Sequence, residues 1–144
     1  MIHTEHYKDG TPCECDEMKR VYFVSKALQS ETPYVNGKRH GLAKEYFESG
    51  ALEYEIPFID GKRQGIEKTY YESGAIHAEN TYTNSKRHGI ERCYSKVGLL
   101  SWTGHYNKGR LHGITRRFLP NGLLHHETLF IEDNAYRRPL ENFH

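Results

Sequence analysis

Aromatic side chains recur along this chain at a fixed interval. Tyr34, Phe58, Tyr82, Tyr106 and Phe130 lie 24 residues apart every time, and a second column runs Tyr22, Tyr46, Tyr70, Tyr94 and Phe118. Aliphatic residues keep the same spacing at Leu28, Leu52, Ile76, Leu100 and Leu124. So do glycines, at Gly41, Gly65, Gly89 and Gly113 and again at Gly50, Gly74, Gly98 and Gly122. No insertion or deletion interrupts these columns from Tyr22 to Phe130, which marks a repeat architecture.

Each period holds two turn signals. Asn36-Gly37 and Asp60-Gly61 are strong hairpin signals, because both central residues of a tight two-residue turn need positive φ. Asn84-Ser85 and Lys108-Gly109 are weaker versions of the same turn. The second signal is Glu48-Ser49-Gly50 and Glu72-Ser73-Gly74, then Lys96-Val97-Gly98 and Pro120-Asn121-Gly122. Between turns lie runs of about six to eight residues, the length of strands, and no segment sustains a helical period. The pattern predicts an all-β chain: an elongated, twisted, single antiparallel meander of β-hairpin repeats with about eleven strands. One domain is expected, with an irregular N-terminal cap repeat over 1–33. Regular repeats follow over 34–57, 58–81, 82–105 and 106–129, then a capping strand and tail over 130–144.

Loop length decides which side chains share a face. A three-residue loop with its glycine in the left-handed region sets Tyr46 opposite Leu52, Lys44 opposite Tyr54 and Leu42 opposite Ile56. A two-residue turn sets Lys44 opposite Glu55 and Tyr46 opposite Glu53, with sensible Lys–Glu pairs of its own. The three-residue loop is preferred, because it gathers Leu42, Tyr46, Leu52, Ile56 and Phe58 on one buried face, and such a face pins register. The glycines at 41, 65, 89 and 113 fall inside strands. There a neighbouring aromatic ring is expected to pack over the bare backbone.

The stretches "YVNGKRHGLAKEYFESGAL" and "FIDGKRQGIEKTYYESGAI", followed by "YTNSKRHGIERCYSKVGLL" and "YNKGRLHGITRRFLPNGLL", resemble the MORN repeat. The variant they resemble is that of bacterial YwqK-type antitoxin-like proteins. The resemblance implies a non-enzymatic binding module that contacts proteins and sometimes lipids, one use of which is neutralising a toxin. It names no catalytic residue.

Composition agrees with a small core made from rings. Hydrophobic residues make up 36% of the chain and aromatic residues 12%, and eleven of the residues are tyrosine. Twenty basic against nineteen acidic side chains leave a net charge of +1, so wholesale electrostatic binding to nucleic acid or an anionic membrane is not indicated. No apolar signal segment and no window of membrane-spanning length is present, and a reducing, cytoplasmic setting is expected. Cys13, Cys15 and Cys93 are too few for a disulfide framework. No nucleophile motif and no phosphate loop occurs, so no enzyme and no cofactor are expected.

Three sets of residues could carry binding. A basic column, Lys44, Lys68, Arg92 and Arg116, has Tyr54, Ala78, Trp102 and His126 as expected cross-strand partners. The strip of Lys44, Tyr54, Lys68, Arg92, Trp102, Arg116 and His126 is the candidate surface for a protein partner, a toxin or effector, because arginine and tryptophan favour interfaces. The turns carry a second basic set: Lys38, Arg39 and His40; Lys62 and Arg63; Lys86, Arg87 and His88; Arg110 and His112. Stacked along one edge, these could follow a nucleic-acid backbone or anionic lipid, which is the alternative reading, although Glu31, Glu55, Glu79 and Glu127 offset them. His3, His6, Cys13 and Cys15 have ligand types that zinc accepts, at an unusual C-x-C spacing, and no metal is expected there. The preferred function is a non-catalytic scaffold of the antitoxin or immunity type that masks a partner's surface. A phage-type inhibitor of a defence protein fits the same class. A homodimer through an exposed edge strand is also compatible with the pattern.

Overall fold

A computed structural model describes residues 5–136. Eleven strands follow one another in chain order, each hydrogen-bonded antiparallel to the next, from Glu17–Tyr22 at one edge to Asn134–Tyr136 at the other. The sheet is open, with no closed barrel and no helix among the described residues. The all-β meander expected from the turn spacing is the fold. Short strand pieces at Lys38–Arg39, Lys62–Arg63 and Arg110–Leu111 leave their tight turns before a one-residue break at His40, Gln64 and His112, just ahead of the strand glycine. In Lys86–Tyr94 the corresponding strand is continuous.

The tight turns form as their residues require. Asn36 and Gly37 have φ of 51° and 76°, and Asn84 and Ser85 hold 49° and 65° without a glycine. At the other end of each hairpin, the amide of Gly50 donates to the Phe47 carbonyl at 2.9 Å and that of Phe47 to the Ala51 carbonyl at 2.8 Å. This is the expected three-residue loop, closed by Gly50 at a φ of 93°. It places Tyr46 opposite Leu52 as anticipated.

One residue further on, the expected register fails. Glu45 pairs with Tyr54, Lys44 with Glu55 and Ala43 with Ile56, so Glu53 is an extra residue on its strand. The same bulge recurs at Gln29, His77, Ser101 and His125. Side chains alternate with a period of two, so one extra residue reverses every later assignment. The expected apolar face of Leu42, Tyr46, Leu52, Ile56 and Phe58 is therefore not formed. Ala43, Ile56 and Phe58 cluster with Tyr54 on one face, while Tyr46 lies on the other beside Lys44 and Glu55. Both faces are used, and neither is wholly apolar.

The strand glycines also differ from expectation. Gly41, Gly65, Gly89 and Gly113 have φ between +109° and +121°, a region that side-chain-bearing residues avoid. What lies over the first three is a neighbouring strand's Pro33, Pro57 or Thr81, not an aromatic ring, and over Gly113 the His105 side chain with the near edge of its imidazole. A Cβ at Gly65 would lie 3.3 Å from the Pro57 ring, so sterics and dihedral exclude it together. A ring does cover bare backbone at Gly104, where any Cβ would collide with the Trp102 indole.

Before the sheet, Glu5–His6 and Pro12–Cys13 form a separate two-stranded hairpin. The irregular "HYKDG" is thus not a rung of the meander. It is folded against the first strands, with Tyr7, Cys13, Cys15, Met18 and Val35 packed together. Cys13 and Cys15 are bonded to each other, a pairing that the sequence reading does not anticipate.

Replacing Gly65 with alanine is expected to cost about 1–3 kcal/mol in urea unfolding, the scale of a strained positive-φ residue. Gly74→Asn, where nothing approaches the missing Cβ within 4 Å, is expected to cost clearly less.

Candidate functional site

The bulge turns the basic column into one half of a charge ladder. Directly opposed residues on successive strands read Arg20, Glu31, Lys44, Glu55, Lys68, Glu79, Arg92, Thr103, Arg116 and Glu127. Basic and acidic side chains alternate across the sheet, which suits opposed positions, and Thr103 alone breaks the order. The expected partners of the basic column, Tyr54, Ala78, Trp102 and His126, are therefore on the opposite face. Arg92 faces Glu79 and Thr103, and Trp102 faces Cys93 and Arg117. The seven-residue strip splits into Lys44, Lys68, Arg92 and Arg116 on one face and Tyr54, Trp102 and His126 on the other.

Beside the ladder, tyrosine hydroxyls donate to its glutamates. Tyr46 reaches Glu31 at 2.6 Å, Tyr70 reaches Glu55, and Tyr94 reaches Glu79 at 3.2 Å. Burial first, and then the glutamate, push the Tyr46 and Tyr70 hydroxyls well above the usual tyrosine range. Glu31 is fully buried, and a buried carboxylate is tolerable only when it is fully bonded. It accepts the Lys8 amide at 2.7 Å, Arg20 Nε at 3.2 Å and the Tyr46 hydroxyl.

The N-terminal hairpin covers this first stretch of the face. Lys44 Nζ donates to Asp9 at 3.0 Å and lies 4.3 Å from the centre of the Tyr7 ring. Lys8 Nζ lies 4.8 Å from the centre of the Tyr46 ring. Hydrogen bonds from Thr11, and then Lys44, hold the Asp9 carboxyl far below the usual carboxylate range. Beyond this cover, Lys68, Tyr70 and Tyr94 are half-exposed and Arg92 is exposed.

On the opposite face the turn arginines fold inward. Arg39 lies over Phe58, Arg63 over Tyr82 and Arg87 over Tyr106, at 4.4 to 5.2 Å from the ring centres. Arg63 also pairs with the buried Glu67 at 2.8 Å and Arg87 with Glu91 at 3.5 Å. Burial raises the Glu67 carboxyl above its ordinary value, while Arg63 and Arg87 pull it back.

Further along this face, Trp102 lines an open groove of about 1040 Å³ with Arg117, Phe118, His125, His126 and Phe130. Cys93 borders it, and burial pushes its thiol up to about 11, so it is protonated at neutral pH.

The basic edge is largely consumed by the fold. Each tight turn hangs on the one before it: the amides of Gly61, Ser85, Gly109 and Asp133 donate to the carbonyls of Arg39, Arg63, Arg87 and Leu111 at 2.7 to 2.9 Å. Nδ1 of His40, His88 and His112 accepts the next turn's amide at 3.2 to 3.4 Å, and Gln64 does so through its side-chain oxygen at 3.0 Å. These histidines are turn clasps, and the glutamine in their column was the signal, because both residues offer a side-chain acceptor. Lys38, Lys62, Lys86 and Arg110 remain exposed. Arg110 lies 3.8 Å from Glu132, so of these only the three lysines have no ion pair or ring contact among the described residues.

Of the candidate metal cluster, His3 lies outside the described residues, and Cys13 and Cys15 are buried in their mutual bond. No group of three or more His, Cys, Asp or Glu side chains is placed to hold a metal among the described residues.

Residues 39–60 and 63–84 each match the family model of the MORN repeat variant. The best-formed repeats of this chain are similar to MORN repeats. Such MORN-type repeats are generally associated with binding and scaffolding. The matched stretches contain the Lys44–Glu55 and Lys68–Glu79 rungs and the turn clasp at Gln64. No curated protein matches the chain.

His88→Gln is expected to leave thermal stability unchanged, while His88→Ala costs about 1 kcal/mol, the worth of one hydrogen bond. Tyr94→Phe and Glu79→Thr are each expected to cost about 0.5–1.5 kcal/mol, and the double variant less than their sum. A double-mutant cycle in urea checks the coupling.

Proposed function

We propose that the protein is a non-catalytic, protein-binding scaffold of the antitoxin or immunity type, which neutralises a partner by masking its surface. The observation that carries this reading is the apolar surface left open in the last periods. Trp102 lines a groove there with Phe118, Leu119 and Phe130, while Ile131 and Tyr136 are exposed on the opposite face. An open groove lined by apolar side chains is the kind of exposed patch that marks a contact surface. Trp102 is held in place by its packing over Gly104, and a rigid aromatic anchor is the kind of residue that dominates interfaces.

A protein is favoured over nucleic acid because Arg39, Arg63 and Arg87 are engaged with rings, and Arg63 and Arg87 also with carboxylates, within the sheet. The charge ladder likewise balances most of its own cations. A sheet face of this kind presents a broad interface, of about 1,200–2,000 Å² for a stable complex.

The test is co-expression with toxic proteins encoded next to this one. The intact chain is expected to restore growth and co-purify with its partner. Trp102→Ala, shown by circular dichroism to be folded, is expected to weaken the complex by about 30-fold or more, the scale of an interface hot spot. Complete protection by the Trp102→Ala chain would remove the groove from the interface, and failure of every such protein to be neutralised would end the antitoxin reading.

A further inference from the structure

The one uncharged rung of the ladder, Thr103, lies between two arginines, Arg92 and Arg116. Elsewhere every basic rung that has two ladder neighbours has an acid on both sides. Arg116 uses its other neighbour, bonding Glu127 at 2.8 Å, and its side chain is still 42% exposed. Arg92 is exposed and forms no ion pair within 4.0 Å among the described residues. Two strand spacings separate the pair, about 10 Å between backbones, a gap that their side chains can close around one carboxylate.

Two further observations bear on what belongs there. The tyrosine that would donate to an acid at this rung is also missing. Glu31, Glu55 and Glu79 each have a tyrosine 15 residues later, at Tyr46, Tyr70 and Tyr94, whereas Thr103 is followed at that distance by Phe118. Acid and hydroxyl have been lost together, so the chain supplies no internal replacement. The second observation is the occupant of the same column nearer the N-terminus. Lys44, two periods before Arg92, is met by Asp9 and by the Tyr7 ring of the chain's own hairpin.

We infer that Arg92 and Arg116 form a docking point for an aspartate or glutamate side chain on an acidic hairpin of the protein partner, in the way Asp9 docks on Lys44. The inference rests on the protein-binding reading above and names the chemistry of its contact. A carboxylate is favoured over phosphate because the group that meets the same column at Lys44 is the Asp9 carboxylate, at 3.0 Å. Paired guanidinium groups bind carboxylates through charge-assisted hydrogen bonds.

The probe is a synthetic peptide copy of residues Glu5 to Cys13, titrated into the full chain with nitrogen-15 at its arginine side chains. The Nε–H resonances of Arg92 and Arg116 are expected to shift together, and a peptide with Asp9→Asn to bind about tenfold more weakly, the loss of one charge-assisted contact. Thr103→Glu supplies the carboxylate from the chain itself. It is expected to abolish the peptide response, and the introduced carboxyl should titrate below the ordinary glutamate value of about 4.3.

A peptide that leaves both arginine resonances in place overturns the docking point, as does an introduced carboxyl that titrates at its ordinary value. Tighter binding of an eight-residue thymidylate oligonucleotide than of the peptide also overturns it, in favour of a phosphate site. The titration involves no host protein, so its failure leaves the scaffold reading to the growth assay, and the growth assay leaves the docking point to the titration.

Discussion

The one-residue bulge that follows each three-residue loop governs the rest of this molecule. Gln29, Glu53, His77, Ser101 and His125 each add a residue to one strand of a pair. Without the bulge, Lys44 would oppose Tyr54 and the apolar residues would share a face. With it, Lys44 opposes Glu55, and the rings of one strand go to the side opposite its partner's tyrosine. The bulge also adds local twist, which a long open sheet needs if its faces are to pack. Repeated at the same place in every hairpin, it converts one amphipathic ribbon into a sheet with two different chemistries.

Those chemistries make up for a small apolar core. One face is held by Arg63–Glu67 and Arg87–Glu91 pairs that lie over tyrosine rings; the other by tyrosine hydroxyls on ladder glutamates. Burying a carboxylate such as Glu31 is costly unless each lone pair is met, and here the N-terminal hairpin completes the set through the Lys8 amide. The hairpin is therefore a lid on the first ladder rungs, placed where an uncovered carboxylate would otherwise be left half-bonded. At the far end of the sheet no such lid is present among the described residues, and the groove beside Trp102 and the Arg92–Arg116 rung stay open. Cover at one end and exposure at the other give the sheet a direction among the described residues.

Much of this was legible from residues alone, and what was not has a physical reason. Asn36-Gly37 and Asp60-Gly61 specify their turns because few residues tolerate positive φ, and Gly50 specifies its loop for the same reason. The basic column, the acidic column and the unusual Arg92–Trp102 stretch were all visible. Their facing was not, since Gln, Glu, His, Ser and His share no chemical signature that announces a bulge. The turn histidines looked like free charge, although Gln64 in their column already pointed to an acceptor. Glu and Tyr at a separation of 15 residues, lost together as Thr103 and Phe118, was a readable signal of contact.

The sequence by itself determined the period, the turns, the strand lengths and the order of strands, because each is set by local dihedral preference and by side chains within a few residues. Only the tertiary structure decided which side chains share a face, which charges are spent internally and which stay exposed. Those outcomes depend on register across strands, where a shift of a single residue moves a side chain from one side of the sheet to the other.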